Sequence, residues 1–544
     1  MTKPKIIIIG GGIGGLSCAT SLAETGEFDI SIYESDIIGG QASTQKSALC
    51  NTEISWRVFL GFYDNLFQII NTIGARDNFY NLTDGNVCIN NENSENIIIS
   101  TLKQHSWSQL SQIFKLLILD KDRAINDYHH IKACEILDSD LMKIVIGPYY
   151  GLEPSKVTLS TFYKFTYNYF QNNNPTEISR YPTSDSLFNP WRKYLELKNV
   201  KIYEHHALEN VVTNKEGKIE ELIIKNKSYK ANEIVLASSL KPIVDIFNNN
   251  VHLAKSEVGY KLNKIVSGQQ FYISVNFYWK KTVIPNMKCH IYTFTNGWVP
   301  IIIKRFINND YVEKHCHPEI KEVWNIGLAD YLVGNYVKKY TSQSSFEEIV
   351  YEIKMNLIHS EHFQKYFDFK NYSYEDYFYG YEFDERYYRK LPSTEKFSIN
   401  QGIEENLMHS HEPSLGNVYF SSYFTKNSVG GASMETSCEI GLNAAKEICN
   451  KYQIENFRSP IYKKRDHIYK IFYPLILLDG FLYRNNQKPI FDYIDCFTFI
   501  LFYLLILFVI ALGIVYYLCK SIMPIKEIKF KKIYKSIKRL LYIS

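Results

Sequence analysis

The sequence lacks any arrangement of cysteines that would define a disulfide framework or a metal site. Its ten cysteines are scattered over the 544 residues, and no Cys-x-x-Cys pair occurs. This spacing excludes a small disulfide-stapled domain and favours reduced cysteines in a cytosolic body. The cluster His315-Cys316-His317 has no second ligand pair at metal-binding spacing, so we expect a solvated loop and no metal site there.

The N-terminus also lacks a signal peptide. The apolar run Ile6–Ile9 is too short for one and leads directly into glycines, without a cleavage site. No Gly-x-Ser-x-Gly elbow and no P-loop occurs elsewhere in the chain. An apolar fraction of 46% with 22% charged residues excludes global disorder and collagen. The mean hydropathy of −0.21 excludes a polytopic membrane protein.

The net charge is unevenly distributed along the chain. The whole sequence carries +4, from 61 Lys and Arg against 57 Asp and Glu. Residues 520–544 contribute eight cations and one acid, or +7, which leaves −3 for residues 1–519. The basicity therefore belongs to the tail, and it points to a membrane surface and gives no reason to expect nucleic acid as a partner.

A dinucleotide-binding pattern occupies the first 34 residues. Ile6–Ile9 is typical of a buried parallel strand, Leu16–Glu24 predicts a helix, and Asp29–Tyr33 alternates as a second strand. Between the first strand and the helix lies the spacing Gly10-x-Gly12-x-x-Gly15. Glu34 follows 19 positions after Gly15, close to the expected separation of about 20. Strand, glycines, helix, strand and acid in this order predict a Rossmann-type cofactor site.

Each position of the loop has a physical task in such a site. Gly10 permits the tight turn, Gly12 lets backbone N–H groups approach a pyrophosphate, and Gly15 lets helix and strand pack closely. Ile13 and Gly14 belong to the helix N-terminus, whose N–H groups and dipole favour phosphates. Glu34 is predicted to accept hydrogen bonds from the ribose hydroxyls.

The segment after Glu34 indicates which dinucleotide is bound. It resembles the Gly-Gly-Arg-x-x-Ser segment of the FAD-dependent amine oxidase and phytoene desaturase superfamily, in which it wraps the FAD pyrophosphate. The matching residues are Gly39, Gly40, Gln41, Ala42 and Ser43. The resemblance implies FAD as the cofactor. Gln41 stands where the family has Arg, so one charge contact is altered.

A second match to this superfamily lies near the C-terminus. Residues 417–423 stand where the family has Asn-Leu-Tyr-Leu-Ala-Gly-Asp, and 431–435 resemble its Gly-Ser-Met-Glu segment. The resemblance implies that Ser433 and Met434 open a helix directed at the flavin pyrimidine edge. Ser422 and Tyr423 replace the Gly-Asp pair that contacts the ribityl chain. Ser433 replaces an aromatic-cage Tyr, which speaks against amine oxidation and favours the desaturase-like branch.

The fold class predicted from these matches is α/β, a Rossmann-type FAD-binding domain interrupted by an α+β substrate domain. In relatives, the position of Leu208 gives a backbone contact to the adenine. We expect the FAD domain to be assembled from residues 1–55, 195–245 and 405–450. The substrate domain then comprises 56–194 and 246–404, followed by a linker (451–495), a transmembrane segment (496–519) and a basic amphipathic tail (520–544).

The predicted substrate domain is rich in aromatic residues. Its segment Tyr372–Tyr387 is the best candidate for a lipophilic pocket, although ordinary core packing also explains most such residues. Trp56 begins an amphipathic stretch that predicts a helix through Ile70. Glu53 and Arg57 either face the cofactor or substrate, or lie on the surface.

The predicted transmembrane segment, residues 496–519, is a run of 24 residues without a charge. As a helix it would measure about 36 Å, enough to cross a hydrocarbon core of about 30 Å. The basic tail that follows favours the cytoplasmic side, as does a flavin body made without a signal peptide. One crossing cannot satisfy both, so either the tail is translocated or the run dips in and returns. We expect a single-pass C-terminal anchor with a cytosolic body.

The sequence therefore predicts a membrane-anchored FAD-dependent oxidoreductase that passes a hydride from a lipophilic small molecule to flavin N5. Molecular oxygen or a quinone-like acceptor would reoxidise the flavin, and no catalytic side chain can be named. One alternative is a flavin amine oxidase. An alternative of another class is a non-catalytic FAD-binding membrane scaffold.

Overall fold

The computed structural model describes most of the chain in segments. These are residues 3–53, 57–81, 86–89, 114–115, 118–135, 154–170, 174–268, 272–281, 289–294, 297–298, 301–305, 309–330, 332–364, 367, 372–383, 406–431, 433–462 and 472–494, with positions 498, 500, 501, 504 and 512. The strands are β1 (Lys5–Ile9), β2 (Asp29–Tyr33), β3 (Thr44–Gln45), β4 (Thr52–Glu53), β5 (Phe79–Asn81), β6 (Asn86–Ile89), β7 (Glu177–Ser179), β8 (Lys201–Tyr203), β9 (Leu208–Thr213), β10 (Ile219–Ile224), β11 (Lys227–Tyr229), β12 (Glu233–Leu236), β13 (Tyr272–Trp279), β14 (Cys289–Thr293), β15 (Ile301–Arg305), β16 (Glu322–Ala329), β17 (Phe378–Phe383) and β18 (Val418–Phe420). The helices are α1 (Ile13–Thr25), α2 (Asp64–Thr72), α3 (Lys121–Asn126), α4 (Leu159–Phe170), α5 (Asn189–Leu197), α6 (Leu240–Asn249), α7 (Val251–Ala254), α8 (Glu257–Ser267), α9 (Asn309–His315), α10 (Phe346–His359), α11 (Glu361–Gln364), α12 (Tyr374–Tyr377), α13 (Met434–Lys451) and α14 (Tyr473–Arg484).

A five-stranded parallel sheet forms the centre of the nucleotide domain, in the order β18-β12-β1-β2-β8. β1 pairs with both of its neighbours, so that Ile8 lies between Ile32 and Val235. Ile6, Ile7 and Ile8 are fully buried, as both faces of a parallel sheet require. The chain leaves β1 toward β2 on one side, whereas β12 lies on the other. The order of the strands therefore reverses at the carboxyl end of β1, the place where such sheets bind ligands.

Two helices pack against each other on one side of this sheet because both have small residues at the contact. A Cβ atom added at Gly441 of α13 would stand 2.2 Å from the Gly14 carbonyl oxygen of α1. The Ser17 hydroxyl lies 3.3 Å from the Cys438 sulfur at the same interface. This close approach fixes the N-terminal half of α13 beside the glycine loop.

The chain also forms a separate six-stranded sheet, in the order β17-β13-β16-β15-β14-β6. Alternate residues of β13 and β16 separate its two faces. Phe277, Trp279 and Trp324 are buried in a core with α10, whereas Asn276 and Asn325 lie on the opposite face. The Asn276 amide donates to the backbone carbonyl of Glu53 at 3.3 Å, so this polar face is turned toward the nucleotide domain.

The aromatic segment that sequence analysis proposes as a pocket mainly fills this core. Tyr374 and Tyr377 are 5% and 6% exposed, and both belong to the core cluster of Trp279 and Phe367. Residues 384–387 of the segment lie outside the described part of the chain. Core packing explains Tyr374 and Tyr377, whereas Tyr372 is 44% exposed.

The structure pairs Cys50 and Cys316 in a disulfide across 266 residues of sequence, where reduced cysteines are predicted. The two residues face each other in an antiparallel bridge. Asn51 N donates to the His315 carbonyl at 3.0 Å, and His317 N donates to the Leu49 carbonyl at 2.7 Å. Sequence spacing cannot reveal this pair, because tertiary folding alone brings the two segments together.

The predicted transmembrane segment and tail fall almost entirely outside the described residues. Of residues 496–544, only Thr498, Ile500, Leu501, Leu504 and Leu512 are described. Within the part of the chain that is described, no helix has the length and apolar character needed to cross a membrane.

Candidate functional site

The glycine loop joins the carboxyl end of β1 to the N-terminus of α1. Gly10 has a φ of 115°, and a Cβ atom there would stand 2.6 Å from the Ala237 carbonyl oxygen. Gly15 is equally confined, because a Cβ would stand 2.0 Å from the Gly10 carbonyl oxygen. Gly12 is the N-cap residue of α1 and offers no side-chain acceptor to the first turn, which begins with the buried Ile13. The helix N-terminus thus keeps N–H groups for a ligand.

A second turn lies directly on this loop. Gly39 N donates to the Gly11 carbonyl at 2.8 Å, and Gly12 and Gly39 form a parallel bridge. A Cβ atom at Gly40 would lie 3.3 Å from the Gly12 Cα. Ala42 and Ser43 are buried, and the Ser43 hydroxyl closes the turn by donating to the Gly40 carbonyl at 2.7 Å. The structure therefore brings Gly39–Ser43 against the glycine loop, as the resemblance implies.

Glu34 is buried beside the loop at the end of β2. Its Oε2 accepts from Gly11 N at 2.6 Å, and its Oε1 accepts from the Ser35 hydroxyl and Asp36 N at 3.0 Å each. The carboxylate thus stabilises the loop, in addition to standing where the ribose contact is predicted.

Two observations fit a dinucleotide at this loop. A Cβ atom built on Gly12 meets no atom within 4 Å, so the space beside the loop is open. The Ser421 hydroxyl, at the carboxyl end of β18, is buried and has no hydrogen-bond partner among the described residues. A Cβ at Gly14 would lie 2.4 Å from the Ser421 carbonyl oxygen, which places Ser421 at the helix N-terminus. Sequence analysis names Ser422 and misses Ser421, although its place at a strand end is the signal that could have found it.

The N-terminus of α13 forms another wall of the site. Ser433 is its N-cap, and the hydroxyl accepts from Thr436 N at 3.0 Å. Met434 begins the helix and packs against the core that contains α1. The buried Tyr63 hydroxyl forms a hydrogen bond with Ser433. Burial raises the pKa of Tyr63, and the negative charge of Glu435 raises it further.

Glu435 connects this helix to α2. Its carboxylate accepts from Asn65 N at 2.9 Å, from Asn65 Nδ2 at 2.8 Å and from Leu66 N at 3.0 Å. These N–H groups belong to the first turn of α2, whose own N-cap Tyr63 supplies no side-chain acceptor. Burial raises the pKa of Glu435 from its ordinary 4.5 to about 7. Sequence analysis assigns no role to Glu435, because the partner lies 370 residues away.

Three further predicted cofactor contacts have partners within the protein. Ser422 is buried, and its backbone carbonyl accepts from Thr425 N at 2.9 Å. The Tyr423 hydroxyl accepts from Leu240 N at 3.2 Å, so this side chain caps α6. Leu208 begins β9 and packs against the core between that strand and α6.

Arg57 is buried and contacts the second turn, where Gln41 replaces the family Arg. Its guanidinium donates to the Gln41 carbonyl and lies 3.9 Å from the Glu53 carboxylate. Glu53 is fully buried, and its Oε1 accepts from Thr183 N at 2.6 Å. Of the two interpretations that sequence analysis leaves open for this pair, a surface position is wrong.

Sequence comparison finds known relatives for the N-terminal part of the chain. The family described as NAD(P)-binding Rossmann-like domain matches residues 8–73. Zeta-carotene desaturases from Solanum lycopersicum and Capsicum annuum are each 38% identical over 78 residues, which is 14% of this chain. The chain spans only 13% of the length of these curated relatives.

Structure comparison extends the similarity to most of the chain. Cyclohexylamine oxidase from Brevibacterium oxydans has a TM-score of 0.58 at 13% identity, and the match covers 83% of this chain and 100% of that protein. An oxidoreductase from Methanosarcina mazei has a TM-score of 0.57 at 11% identity, covering 82% and 100%. At these identities the likeness shows the fold. The predicted resemblance is confirmed to this extent: residues 8–73 match an NAD(P)-binding Rossmann-like domain, and the chain has the α/β fold of these solved structures.

Proposed function

We propose that this protein is an FAD-dependent oxidoreductase of the desaturase-like type. It takes a hydride from a lipophilic substrate, and residues 496–519 anchor it to a membrane. The similarity of the N-terminal segment to zeta-carotene desaturases supports the desaturase-like branch over amine oxidation. Ser433, in place of an aromatic residue, supports the same choice.

The observation that carries this proposal is the pair of turns at the carboxyl end of β1. The first turn leaves the N-terminus of α1 without a side-chain cap, and the second lies on it through the bridge between Gly12 and Gly39. The open space beside Gly12 and the buried, unpaired Ser421 hydroxyl support a cofactor at this position. Backbone N–H groups at a helix N-terminus suit a pyrophosphate.

The residues around this space have distinct tasks in the proposed reaction. When bound, FAD would supply the hydride acceptor at its N5 atom. Gly12, Gly14 and Gly39 would hold the pyrophosphate, with Glu34 at the adenosine ribose. The N-terminus of α13 at Met434 would supply N–H groups and a positive dipole end to stabilise negative charge on the reduced cofactor. Ser433 keeps that helix terminus in place by capping it.

The membrane part of the proposal has separate support. Residues 496–519 carry no charge, and a basic tail follows them. The described residues Leu501, Leu504 and Leu512 of this run are 51%, 57% and 53% exposed, which speaks against a buried core helix. Exposed leucines in a long uncharged run suit a hydrocarbon environment.

The cofactor assignment is tested by one substitution made at three glycines. Gly12→Ala adds a methyl group where no protein atom lies within 4 Å, so we expect normal folding. The methyl group would occupy cofactor space, so the affinity for FAD should fall about 10- to 100-fold. This fall corresponds to a loss of about 1.4–2.8 kcal/mol in binding free energy. Gly380→Ala, in β17, is the matched control because its Cβ direction is equally open. Gly15→Ala should misfold, since the methyl group would stand 2.0 Å from a carbonyl oxygen.

The measurements are circular dichroism for folding and FAD titration by flavin fluorescence for binding. If Gly12→Ala binds FAD as tightly as the wild type and Gly380→Ala, the assigned cradle is wrong. A wild-type protein that is folded, colourless and unable to take up FAD would refute both the oxidoreductase and the FAD scaffold. If the protein does bind FAD, anaerobic bleaching of the bound flavin by lipids or by amines distinguishes the desaturase-like enzyme from an amine oxidase.

A further inference from the structure

Helix α14 has an apolar face that is directed away from the protein. Tyr473, Leu477 and Phe481 follow one another at intervals of four residues and are 54%, 53% and 57% exposed. Leu478 lies beside them at 44%. Exposed positions on a surface helix of a soluble domain are normally polar, so a continuous apolar face of this kind marks a contact surface.

The opposite side of α14 is firmly attached to the body, which fixes the direction of the apolar face. Asp479 is fully buried, and its carboxylate lies 3.1 Å from Arg123 Nε. The same carboxylate accepts from Asp120 N and Ile490 N, both at 2.8 Å. Leu475 packs with Phe114, Ile118 and Ile490 in a small cluster. Rotation of the helix would separate a buried ion pair, so the apolar face stays outward.

The chain that follows α14 indicates what covers this face. Arg484 and Lys488 are exposed cations just beyond the apolar turns, and Tyr493 is 58% exposed. The uncharged run of 496–519 begins two residues after the 472–494 segment ends, and the strongly basic tail comes after it. Apolar side chains, tyrosines and flanking cations are the composition of a helix that lies in the interface of a bilayer.

We propose that α14 is an interfacial helix, with Tyr473, Leu477, Leu478 and Phe481 inserted at the level of the upper acyl chains. The proposal rests on the proposed membrane anchoring, since the adjoining run brings the helix to the bilayer. The buried ion pair of Asp479 and Arg123 fixes the orientation of α14 relative to the body, because α14 cannot rotate independently of α3. The body is thereby held in one orientation on the membrane.

Photocrosslinking of the full chain in membranes tests the proposal. We would place p-benzoylphenylalanine at Phe481 and, in a second variant, at Tyr473, and reconstitute each into vesicles of phosphatidylcholine and phosphatidylserine with an alkyne-tagged phosphatidylcholine. The matched control carries the same residue at Tyr260, which is 60% exposed on α8, away from the apolar face. Both α14 positions should give lipid adducts on irradiation, several-fold above the control.

The outcomes separate this inference from the anchor itself. A chain that resists carbonate extraction but forms no lipid adduct at 473 or 481 overturns the interfacial helix and leaves the anchor standing. An adduct of twice the chain mass at 481 overturns it in favour of contact between two copies, and an internal adduct overturns it in favour of coverage by another segment of the chain. Lipid adducts in a chain that carbonate extracts would support the helix and refute the anchor.

Discussion

Arg57 supplies a positive charge beside Gln41, which stands where the segment that this sequence resembles has Arg. Gln41 removes a cation from the segment that contacts the glycine loop, whereas the guanidinium of Arg57 is buried against the Gln41 carbonyl. Arg57 also lies near Tyr63, where its positive charge lowers the pKa of the phenol against the larger effect of burial. The positive charge of this corner is therefore retained and comes from a different part of the chain.

We predict that Arg57→Gln weakens FAD binding by about 10- to 100-fold. The variant loses the hydrogen bond by which the charged guanidinium holds the Gln41 turn against the cofactor site, and hydrogen bonds of charged groups contribute about 1.5–3 kcal/mol. Arg57→Lys should recover part of the loss, because it keeps the charge and loses the planar fork. Glu53 would remain buried beside the neutral residue in Arg57→Gln, so the double variant Glu53→Gln/Arg57→Gln controls for an uncompensated charge. FAD titration is the measurement. Unchanged affinity in a folded Arg57→Gln protein would contradict the role.

At the scale of elements, Glu435 makes one helix the cap of another. The first turn of α2 has no side-chain cap of its own, and the carboxylate on α13 accepts from two of its backbone N–H groups. Glu439, one turn further along α13, is also buried and accepts from Ser428 N and Oγ. Burial raises the pKa of both carboxyls. The region around α13 is therefore sensitive to pH.

The direction of this pH effect follows from the pKa of Glu435. The folded value of about 7 exceeds the ordinary 4.5, so the folded state holds the proton more tightly than the unfolded state. The stabilising contribution is complete below about pH 4.5 and is lost as the pH rises through 7. The difference between these two pKa values corresponds to about 3 kcal/mol. Glu439, Tyr63 and Cys438 also interact electrostatically with this carboxyl. Burial raises the pKa of each, so Tyr63 and Cys438 stay neutral over this range, and the negative charge of Glu439 raises the pKa of Glu435 further.

We therefore predict that Glu435→Gln flattens the decline in melting temperature between pH 5 and pH 8. The wild type should lose a few °C more than the variant over this interval, as differential scanning calorimetry would show. Glu447→Gln, at an exposed position on the same helix, is the matched control and should follow the wild type. Parallel curves for all three proteins would refute the titration of Glu435.

Local elements of the nucleotide domain are predictable from sequence because their causes are local. The strand Asp29–Tyr33 forms as predicted, and α1 starts three residues before the predicted Leu16 because Gly12 ends the loop. The helix predicted from Trp56 begins only at Asp64. Phe59 exchanges two backbone hydrogen bonds of 2.8 Å with Glu177, which keeps that segment extended. A partner so distant in sequence cannot be recognised from periodicity.

In the candidate site, too, some residues are predictable from sequence and others are not. The glycines and Gly39–Ser43 are predictable because each is a backbone requirement with a fixed spacing. Tyr63, Ser421 and Arg57 acquire their places only when the six-stranded sheet and α13 are folded against the loop. Tyr423 stands where the family segment has Asp, and the structure uses its hydroxyl to cap α6.

At the scale of the whole molecule, the disulfide between Cys50 and Cys316 joins the nucleotide domain to the segment that precedes β16. Closing a loop of 266 residues restricts the unfolded chain strongly. We predict that Cys50→Ser, or a reductant, lowers the free energy of unfolding by about 2–5 kcal/mol. Cys134→Ser, at a free and partly exposed cysteine, is the control and should have little effect.

Thermal melting with and without reductant measures this contribution, and peptide mass spectrometry of alkylated protein identifies the bond. The prediction fails if Cys50 and Cys316 are both alkylated without prior reduction. It also fails if Cys50→Ser melts at the wild-type temperature in the absence of reductant.

The order of strands in the central sheet has a consequence for how the protein is made. β1 and β2 are synthesised first, yet β18 and α13, which complete the sheet and cover α1, come from residues 418–451. The ribosome adds 384 residues between Tyr33 and Val418, which takes roughly 20–80 s at about 5–20 residues per second. Throughout that time β12 lacks its outer partner strand, and α1 lacks the helix that packs against it. Nascent chains of this protein should therefore depend on chaperones until α13 has left the exit tunnel.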